Sequence, residues 1–588
     1  MSSSSERSED AAEFARHMQL LRSNTDGGAP ELESTPIFSA SVRKHANELL
    51  GSHGGTVFTQ YGLLGGVSQS NIGAGSMHGS QKSSDPRLFY NVASPSSVFI
   101  CGSQGSGKSH SLSCLLENCL LPSDANQLPR PLTGVVFHYD TFNSDTCGAP
   151  SEAAYLSSNP NVKVRVLCAP TNRVNIEKIY STLPNVVVTD FKIHESQLNI
   201  KRMLDLMAMG SVAGDGWPLY MHTVTRILRE MRLEQQTSGK RGFSYEDFKR
   251  RLTDERLDGP QLGPLQQRLD ALESFMVAGH ATKTRLRSGV GKQAKVGIFT
   301  TGNSSVDETW TPEAGLLTIV DLSCPCITDV TACSLFTICL SLFLEQKSDV
   351  GRVVALDEAH KYMTGSAECE TLTERLLSAI RLQRHLAARV FISTQEPTIS
   401  PRLLDLCSAT IVHRFTSPEW LDTLRSHLAG ASPLAAVAVA VAAMDPDRDD
   451  NDAAVLPASR IGGCSEHVLA GLFRQIVSLR TGEALLFAPN AAIGVRSRAR
   501  VVSEDDTDSQ SCSTDGSASI ANSLSTDQER VLSNEPKSND ELSTANDGRA
   551  VAANHQGRRE AMRLGSGVLK VFIRQRVTQD GGKSVMAG

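Results

Sequence analysis

The segment 97–119, SVFICGSQGSGKSHSLSCLLENC, decides the fold that we predict for this chain. It opens with Val98–Cys101, an apolar run typical of a buried strand, and it closes with leucines at helical spacing. Between them, Gly102 to Ser109 match the phosphate-loop pattern at all of its fixed positions. In such loops the backbone N–H groups surround phosphate oxygens at the start of a helix, where the helix dipole favours negative charge. The segment therefore predicts a strand, a phosphate loop and a helix in succession.

All eight residues of this loop are candidate nucleotide contacts: Gly102, Ser103, Gln104, Gly105, Ser106, Gly107, Lys108 and Ser109. We expect Lys108 to neutralise charge on the β- and γ-phosphates and the Ser109 hydroxyl to bind Mg²⁺. A Gly/Ser-rich loop with an unrelated lysine is the alternative. The strand before the loop and the helix after it favour nucleotide binding.

A second apolar strand, Val353–Leu356, ends in two adjacent carboxylates, Asp357 and Glu358. In a phosphate-loop protein we expect the first to hold Mg²⁺ and the second to polarise the attacking water. Two solvated acids at a strand end are the alternative, which the phosphate loop makes the weaker interpretation. The chain shows no clear guanine-specifying NKxD motif, so the predicted nucleotide is ATP. His360 either starts a helix or takes part in the chemistry.

The strand that follows in the chain, Arg389–Ser393, is also bordered by polar candidates. Gln395 comes just after it and either hydrogen-bonds the γ-phosphate or the attacking water, or caps a turn before Pro397. Arg384 comes just before it. Arginines on helices are usually solvated, but this one is close in sequence to the candidate phosphate sensor.

The order of these motifs resembles the HerA/FtsK-type ATPases, which include DNA-pumping motors and conjugative coupling proteins. The resemblance is carried by GSQGSGKS at 102–109, LLTIVDLS at 316–323, VVALDEAH at 353–360, ARVFISTQEP at 388–397, IVHRF at 411–415 and TGEALLFAP at 481–489. It covers about residues 87–495, apart from a helical insertion. The whole chain, with FICGSQGSGKSH at 99–110 and RQRVTQDGGKS at 574–584, is also similar to a group of fungal phosphate-loop proteins.

The resemblance implies a role for each motif residue. Lys108 and Ser109 would bind the nucleotide and the metal, and Asp357 and Glu358 would be the acidic pair. Gln395 would sense the γ-phosphate, and Arg384 would be presented to the nucleotide of a neighbouring subunit. Asp321 matches a family strand-end aspartate with a less defined role. The resemblance also implies a homo-oligomeric ring, with a hexamer as the candidate size. Two features depart from the family: there is no N-terminal β-barrel, and the helical insertion is long.

The predicted fold class is α/β, with a RecA-like, mainly parallel sheet covered by helices on both faces. Residues 1–85 are rich in Ser, Gly and Asn and are predicted to form a mostly disordered arm. Residues 86–500 form the ATPase domain, which contains an α-helical insertion over about 191–295. An acidic, Ser-rich linker over 501–565 is predicted to be disordered, and residues 566–588 form either an edge strand or an exposed basic tail.

Composition narrows the protein class further. The chain has 588 residues and a net charge of −6, so attraction to nucleic acid requires a local basic patch. Its 13 cysteines include no CxxC pair, and its longest apolar runs are too short to span a bilayer. We expect an intracellular protein, cytoplasmic or nuclear, that does not bind membranes.

The function predicted from these observations is Mg-dependent binding and hydrolysis of ATP by a ring-forming DNA translocase. The candidate DNA contacts are the basic residues of the stretch 282–295: Lys283, Arg285, Arg287, Lys292 and Lys295. A solvated basic hairpin is the alternative for that stretch. For the whole protein, the alternative is a nucleotide-gated protein-interaction module with slow or incidental hydrolysis, which the long disordered segments and the missing barrel favour.

Overall fold

The computed structural model describes residues 17, 29–50, 55–68, 85–141, 148–207, 219–239, 242–255, 259–276, 309–428, 470–497 and 559–581. The chain divides into a large unit, Met1–Val495 with Ala561–Gly588, and a small unit, Arg496–Glu560. Apart from residues 496, 497, 559 and 560, all of the described residues belong to the large unit. The basic stretch 282–295 and most of the linker 501–565 lie outside the described residues.

The strands of the described residues join in one sheet. They are β1 (Ile37–Ser39), β2 (Tyr61–Val67), β3 (Arg87–Asn91), β4 (Ser97–Cys101), β5 (Asn126–Gln127), β6 (Thr133–His138), β7 (Lys163–Cys168), β8 (Val186–Asp190), β9 (Leu316–Asp321), β10 (Arg352–Leu356), β11 (Ala388–Thr394), β12 (Ala409–Val412), β13 (Glu483–Phe487), β14 (Ala492–Ser497), β15 (Arg559–Arg563) and β16 (Leu569–Ile573).

Eight of these strands are parallel and lie side by side in the order β12-β4-β11-β10-β6-β9-β7-β8. Every residue of β4, β6, β9, β10, β11 and β12 is buried. Such continuous burial is expected of parallel strands that have helices on both faces. The prediction of a mainly parallel α/β sheet of the RecA-like type is confirmed.

Of the remaining strands, β5 pairs with β2 off the main path, and the other seven continue the sheet beyond β12 in the order β13-β16-β2-β3-β1-β14-β15. Pairing is antiparallel from β12 to β13 and through β16, β2, β3 and β1. Strands from both ends of the sequence thus meet here, because β16 lies between β13 and β2. The segment 566–588 therefore contains an interior strand rather than an edge strand.

Much of the region 29–68 is folded, which differs from the mostly disordered arm predicted for residues 1–85. Aromatic rings supply the reason: Phe38 stacks on Phe58 with ring centroids 3.7 Å apart, and Tyr61 and Phe89 pack against Phe38. Burial of such large apolar surfaces outweighs the polar composition of the arm. Similarly, β15 lies within the range 501–565 that was predicted to be disordered.

The helices flank the sheet. They are α1 (Ala29–Glu33), α2 (Ala40–Leu50), α3 (Lys108–Leu120), α4 (Arg173–Tyr180), α5 (Ile200–Met207), α6 (Leu219–Ser238), α7 (Tyr245–Asp254), α8 (Gly259–Ser274), α9 (Asp329–Glu345), α10 (Ala367–Arg381), α11 (Pro401–Leu406) and α12 (Pro418–His427), and residues 470–477 are also helical. Helices α5 to α8 fall in the range of the predicted insertion. The Ser244 hydroxyl caps α7 by accepting a hydrogen bond from the Asp247 backbone N–H at 3.3 Å.

Two hydrophobic cores cover opposite faces of the parallel strands, because successive side chains of a strand point to opposite sides. Val98 and Ile100 of β4 pack in the core that contains Leu112 of α3. Phe99 of β4 packs in the other core, with Phe336 of α9. Within the described residues, no helix combines the length and the apolar character needed to cross a membrane.

Candidate functional site

The sheet brings three of the predicted polar segments to the same edge. Strand β11 lies between β4 and β10, and all three are parallel, with Thr394 paired to Cys101 and Ile392 to Leu356. The segments that follow their carboxyl ends are therefore neighbours: the phosphate loop after β4, Gln395 after β11 and the acidic pair after β10. In open α/β sheets, ligands bind at this edge.

The phosphate loop takes a conformation that requires its glycines. Gly105 has φ +71° and Gly107 has φ +112°, which L-residues rarely adopt. At Gly102, a Cβ atom would come within 2.7 Å of the His413 Cβ atom. Helix α3 starts at Lys108 directly after this loop, so the loop sits at the helix N-terminus.

The residues that follow strand β12 hold the phosphate loop in place. The Ser103 backbone N–H and hydroxyl both donate to the Arg414 carbonyl, at 2.9 and 2.8 Å. Burial lowers the pKa of His413 to about 4, so its ring is neutral near neutral pH. Because the Glu483 carbonyl at 3.0 Å can only accept, Nδ1 carries the proton and Nε2 accepts from the Ser111 hydroxyl at 2.8 Å. His413 thus fixes the first turn of α3 to β13.

Lys108, Glu358 and Gln395 meet at the centre of the site. The Lys108 Nζ atom donates to the Ser103 carbonyl at 3.2 Å and lies 3.9 Å from Glu358 Oε1. Gln395 Nε2 donates to Glu358 Oε2 at 2.6 Å. Burial, together with the neighbouring Asp357 carboxylate, raises the pKa of Glu358, and burial lowers the pKa of Lys108. The three predicted side chains are therefore in contact, and both charged groups are desolvated.

Asp357 has the properties of a Mg²⁺ ligand. It is buried, and its Oδ1 atom has no hydrogen-bond partner among the described residues. Its Oδ2 atom lies 3.7 Å from Nδ1 of the buried His138. A desolvated carboxylate oxygen without a donor is costly unless a cation or a donor pairs with it, and Mg²⁺ prefers such hard oxygen ligands. Asp357 therefore fits this ion, and Ser109, the other predicted ligand, lies at the start of α3.

Glu358 itself is held in an unusual backbone conformation, with φ +48° and ψ +47°. For a residue with a Cβ atom this left-handed conformation is strained, and such strain concentrates at functional sites. His360 lies close by: its Nδ1 is 3.4 Å from Glu358 Oε2 and accepts from the Gln395 backbone N–H at 3.4 Å. Burial lowers the pKa of His360 to about 4, so this acceptor is neutral. The sequence alone left its role open.

Arg384 lies away from this cluster. It is exposed and precedes the amino end of β11, whereas Gln395 follows the carboxyl end. The strand has seven residues, which at about 3.3 Å per residue separate its ends by roughly 23 Å. Arg384 therefore cannot reach the phosphate loop of the same chain. Asp321 is also elsewhere: its buried carboxylate accepts from the Tyr180 hydroxyl at 2.7 Å and from the Ser323 backbone N–H at 3.0 Å.

Several residues that support the site were not predicted from the sequence. Trp420 donates from Nε1 to the Gln395 carbonyl at 2.8 Å, and this orients the residue that contacts Glu358. His138 lies beside Asp357, and His413 lies under the loop. The only sequence signal for His413 was its position in IVHRF, because a histidine after an apolar strand is otherwise an ordinary core residue.

The C-terminal segment binds helix α3 through one buried carboxylate, that of Glu117. Glu117 is completely buried and accepts from Arg574 Nη1 at 2.7 Å, from the Val577 backbone N–H at 3.1 Å and from the Thr578 backbone N–H at 3.0 Å. The Thr578 hydroxyl donates to it as well. Burial raises the pKa of Glu117, but the hydrogen bonds from Thr578 and the charge of Arg574 lower it more, so that it lies below its usual value. A single acid in the apolar run LLENCLL was the available sequence signal.

No family model matches this sequence, and no curated protein matches it. Solved structures do match. VirB4 of Thermoanaerobacter pseudethanolicus is 11% identical, with 72% of this chain and 93% of that chain covered and a TM-score of 0.41. The genome packaging NTPase B204 of Sulfolobus turreted icosahedral virus 2, in complex with ATP-gammaS, is 8% identical, with 67% and 92% covered and a TM-score of 0.23. Its complex with AMP is 12% identical, with 31% and 66% covered and a TM-score of 0.19.

Proposed function

We propose that this protein is a Mg-dependent, ATP-binding and ATP-hydrolysing phosphate-loop enzyme of the HerA/FtsK type. The observation that carries the proposal is the convergence of Lys108, Glu358 and Gln395 at one edge of the sheet, beside the buried Asp357. These groups come from three neighbouring parallel strands. Their identities match the charge-neutralising, base and sensing functions that phosphoryl transfer requires.

Each side chain has a defined task in this proposal. Lys108 exchanges its contact with the Ser103 carbonyl for the β- and γ-phosphates, and the N–H groups at the start of α3 bind the same oxygens. Mg²⁺ held by Ser109 and Asp357 would neutralise charge on these phosphates. Glu358 orients the attacking water and accepts its proton, while Gln395 holds the Glu358 carboxylate in position.

The raised pKa of Glu358 suits a general base. Burial and the Asp357 charge disfavour its ionised form, so the carboxylate gains more from taking up a proton than a solvated one would. The strained backbone at Glu358 supports the same role, because such strain concentrates at functional sites.

Replacing Lys108 with Ala tests the proposal directly. We expect ATP and ADP affinity, measured by isothermal titration calorimetry, to fall by about 100-fold or more, as is common when one member of a buried charged contact is removed. The matched control is Lys163→Ala, which removes an exposed lysine that pairs with Glu313 at the surface. Unchanged affinity in Lys108→Ala, with a melting temperature like that of the control, would contradict the proposal.

We extend the proposal to a ring in which Arg384 contacts the nucleotide of the next subunit, since the position of Arg384 precludes a role in its own site.

The work that we propose for this ring is DNA translocation, in which the basic stretch 282–295 contacts the DNA. Steady-state ATPase rates with and without duplex DNA test both parts. We expect DNA to stimulate the wild type, and we expect Arg384→Ala to lose turnover by roughly 10³-fold or more while still binding ATP. Turnover that ignores DNA at low salt would favour the interaction module instead.

A further inference from the structure

Two cysteine sulfur atoms meet behind the segment that carries the acidic pair. Cys333 in α9 and Cys369 in α10 are both buried, and their Sγ atoms lie 2.9 Å apart. Both Sγ atoms are also within hydrogen-bond distance of the Tyr362 carbonyl, at 2.9 and 3.0 Å. Tyr362 follows Glu358 by four residues, so the sulfur pair touches the same loop that presents the catalytic carboxylate.

The surroundings of Cys369 favour its thiolate form. It lies in the first turn of α10, where Ser366 caps the helix by accepting from the Cys369 backbone N–H. The hydroxyl groups of Ser366 and Thr364 lie 3.0 and 3.5 Å from its Sγ atom. The hydrogen bond from the Cys333 thiol lowers the pKa of the Cys369 thiol to about 6, which is the direction expected at a helix N-terminus. By contrast, burial holds the pKa of the Cys339 thiol, also in α9, well above its usual value.

We propose that Cys333 and Cys369 form a redox-active dithiol, which a peroxide oxidises to a disulfide and which controls the conformation of the segment 357–366. At 2.9 Å, the sulfur atoms need to approach by only about 0.9 Å to reach the length of a disulfide bond. This site lies outside the phosphate loop and involves none of the residues that we assign to ATP binding.

The oxidation balances as two displacement steps. The Cys369 thiolate attacks one oxygen of hydrogen peroxide, the O–O bond breaks, and the other oxygen leaves as hydroxide, which is protonated to water. The Cys333 sulfur then attacks the sulfenic acid at Cys369, the S–O bond breaks, and the Cys333 proton leaves in a second water molecule. Two thiols are oxidised, and one peroxide is reduced.

The pair is close enough to the surface for a small oxidant to reach it. Thr364 and Gly365, in the turn that covers Cys369, are exposed. Disulfide formation would replace the hydrogen bond between the Cys333 and Cys369 sulfur atoms with a covalent bond, next to the Tyr362 carbonyl that both atoms contact, and would tie α9 to α10. The Tyr362 ring is fully buried and packs edge-on against Phe336 of α9, so movement of α9 passes to this loop. We therefore expect oxidation to change the segment 357–366 and, provided that the proposed function holds, to slow ATP turnover.

The covalent step is tested on the full chain by mass spectrometry. Reduced protein is treated with hydrogen peroxide, alkylated and digested. We expect a peptide pair joined through Cys333 and Cys369, lighter than the sum of its reduced halves by two hydrogen atoms and separable with dithiothreitol. Cys333→Ser and Cys369→Ser should each abolish it, whereas the matched control Cys339→Ala, a buried cysteine of the same helix, should retain it. Recovery of Cys333 and Cys369 as alkylated thiols, to the same extent as Cys339, would overturn the proposal.

The regulatory step needs a readout that does not depend on ATP hydrolysis. Amide hydrogen exchange of peptides that cover 357–366 should differ between the oxidised and reduced wild type, and not between the two treatments of Cys333→Ser. Turnover should fall by about 5-fold or more on oxidation, the scale of a modest coupling between sites. A disulfide that leaves both hydrogen exchange and turnover unchanged would refute the control of the loop. If exchange changes but neither form hydrolyses ATP, the dithiol stands and the proposed function fails.

Discussion

The two halves of the sheet differ in the direction of their strands. In the parallel half, neighbouring strands run the same way, and strands such as β10 and β11 are buried throughout. In the antiparallel half, β16 pairs with β2, which brings Val571 next to Val67 from near the other end of the chain. The candidate site lies at the edge of the parallel half, while the antiparallel half, which contains strands from both chain ends, holds the helix that follows the phosphate loop.

This division separates two kinds of residue. Glu358 and Gln395 follow strand ends, where a side chain can meet a ligand. Glu117 and Arg574 form a buried ion pair between α3 and the C-terminal segment, and this pair joins the two parts of the protein. Lys108 is of the first kind, since it lies at the phosphate loop and its Nζ atom is 3.9 Å from Glu358 Oε1. Substitutions in the two groups should therefore have separable effects.

Glu358→Gln should have the largest effect on the turnover rate and should not change the stability of the protein. The amide is similar in shape but cannot accept the water's proton, so we expect the turnover rate to fall by about 10²- to 10⁴-fold. ATP affinity and the melting temperature should stay close to those of the wild type. Asp357→Asn provides the comparison, and we expect it to weaken Mg²⁺-dependent nucleotide binding. If Asp357→Asn binds normally while it loses the greater part of turnover, the two acids have exchanged roles.

Glu117→Gln should show the reverse pattern, with a large loss of stability. The substitution leaves the charge of Arg574 buried without its carboxylate partner, which typically costs about 3–5 kcal/mol in the free energy of unfolding. Chemical denaturation measures this. The matched control, Glu313→Gln, breaks the exposed pair with Lys163 and should change the free energy of unfolding by less than about 1 kcal/mol. Equal effects in the two variants would mean that the chain ends do not stabilise α3.

Most of the parallel half could be predicted from the sequence, because strands such as β4 and β10 are short apolar runs that lead into a recognisable motif. The antiparallel half could not, for reasons particular to its strands. Strand β1 has only three residues, and β2 contains three glycines that read as loop. Gly65 is required because a Cβ atom there would collide with the Phe572 carbonyl of β16, a contact that no local pattern reveals. Strand β8, at the end of the strand order, was not predicted, although its three consecutive valines are a short apolar run of the kind that identified the other parallel strands.

In the candidate site, too, some residues could be predicted from the sequence and others could not. The segments with Lys108, Glu358 and Gln395 were predictable because their residue types follow from phosphoryl chemistry, and the structure brings these three together. Their supports were not predictable. Trp420 makes one hydrogen bond, to a carbonyl, and His413 makes two, with a carbonyl and a hydroxyl. Many core residues of the same types make no contact of functional interest. Arg384 stays a proposal, because its role requires a second copy of the chain.

His413 offers a smaller and sharper test, because it lies where the two halves join. Its ring connects Ser111 of α3 with the Glu483 carbonyl of β13, and it is neutral because burial lowers its pKa to about 4. In the unfolded chain a histidine titrates near pH 6.5, so between about pH 6.5 and 4 the unfolded state binds the extra proton. Stability should therefore fall as the pH drops through this window.

For His413 alone, this linkage predicts a loss of about 2 kcal/mol in the free energy of unfolding between about pH 7 and pH 5. Chemical denaturation of the wild type and of His413→Gln at both pH values measures it. The loss of stability between these pH values should be smaller in His413→Gln than in the wild type by about 2 kcal/mol. Glutamine does not titrate, and the other buried histidines are common to both proteins. The control His427→Gln removes a partly exposed histidine that pairs with Asp405. If wild type and His413→Gln show parallel pH dependence, the ring is solvated, and the join between the halves does not depend on a neutral histidine.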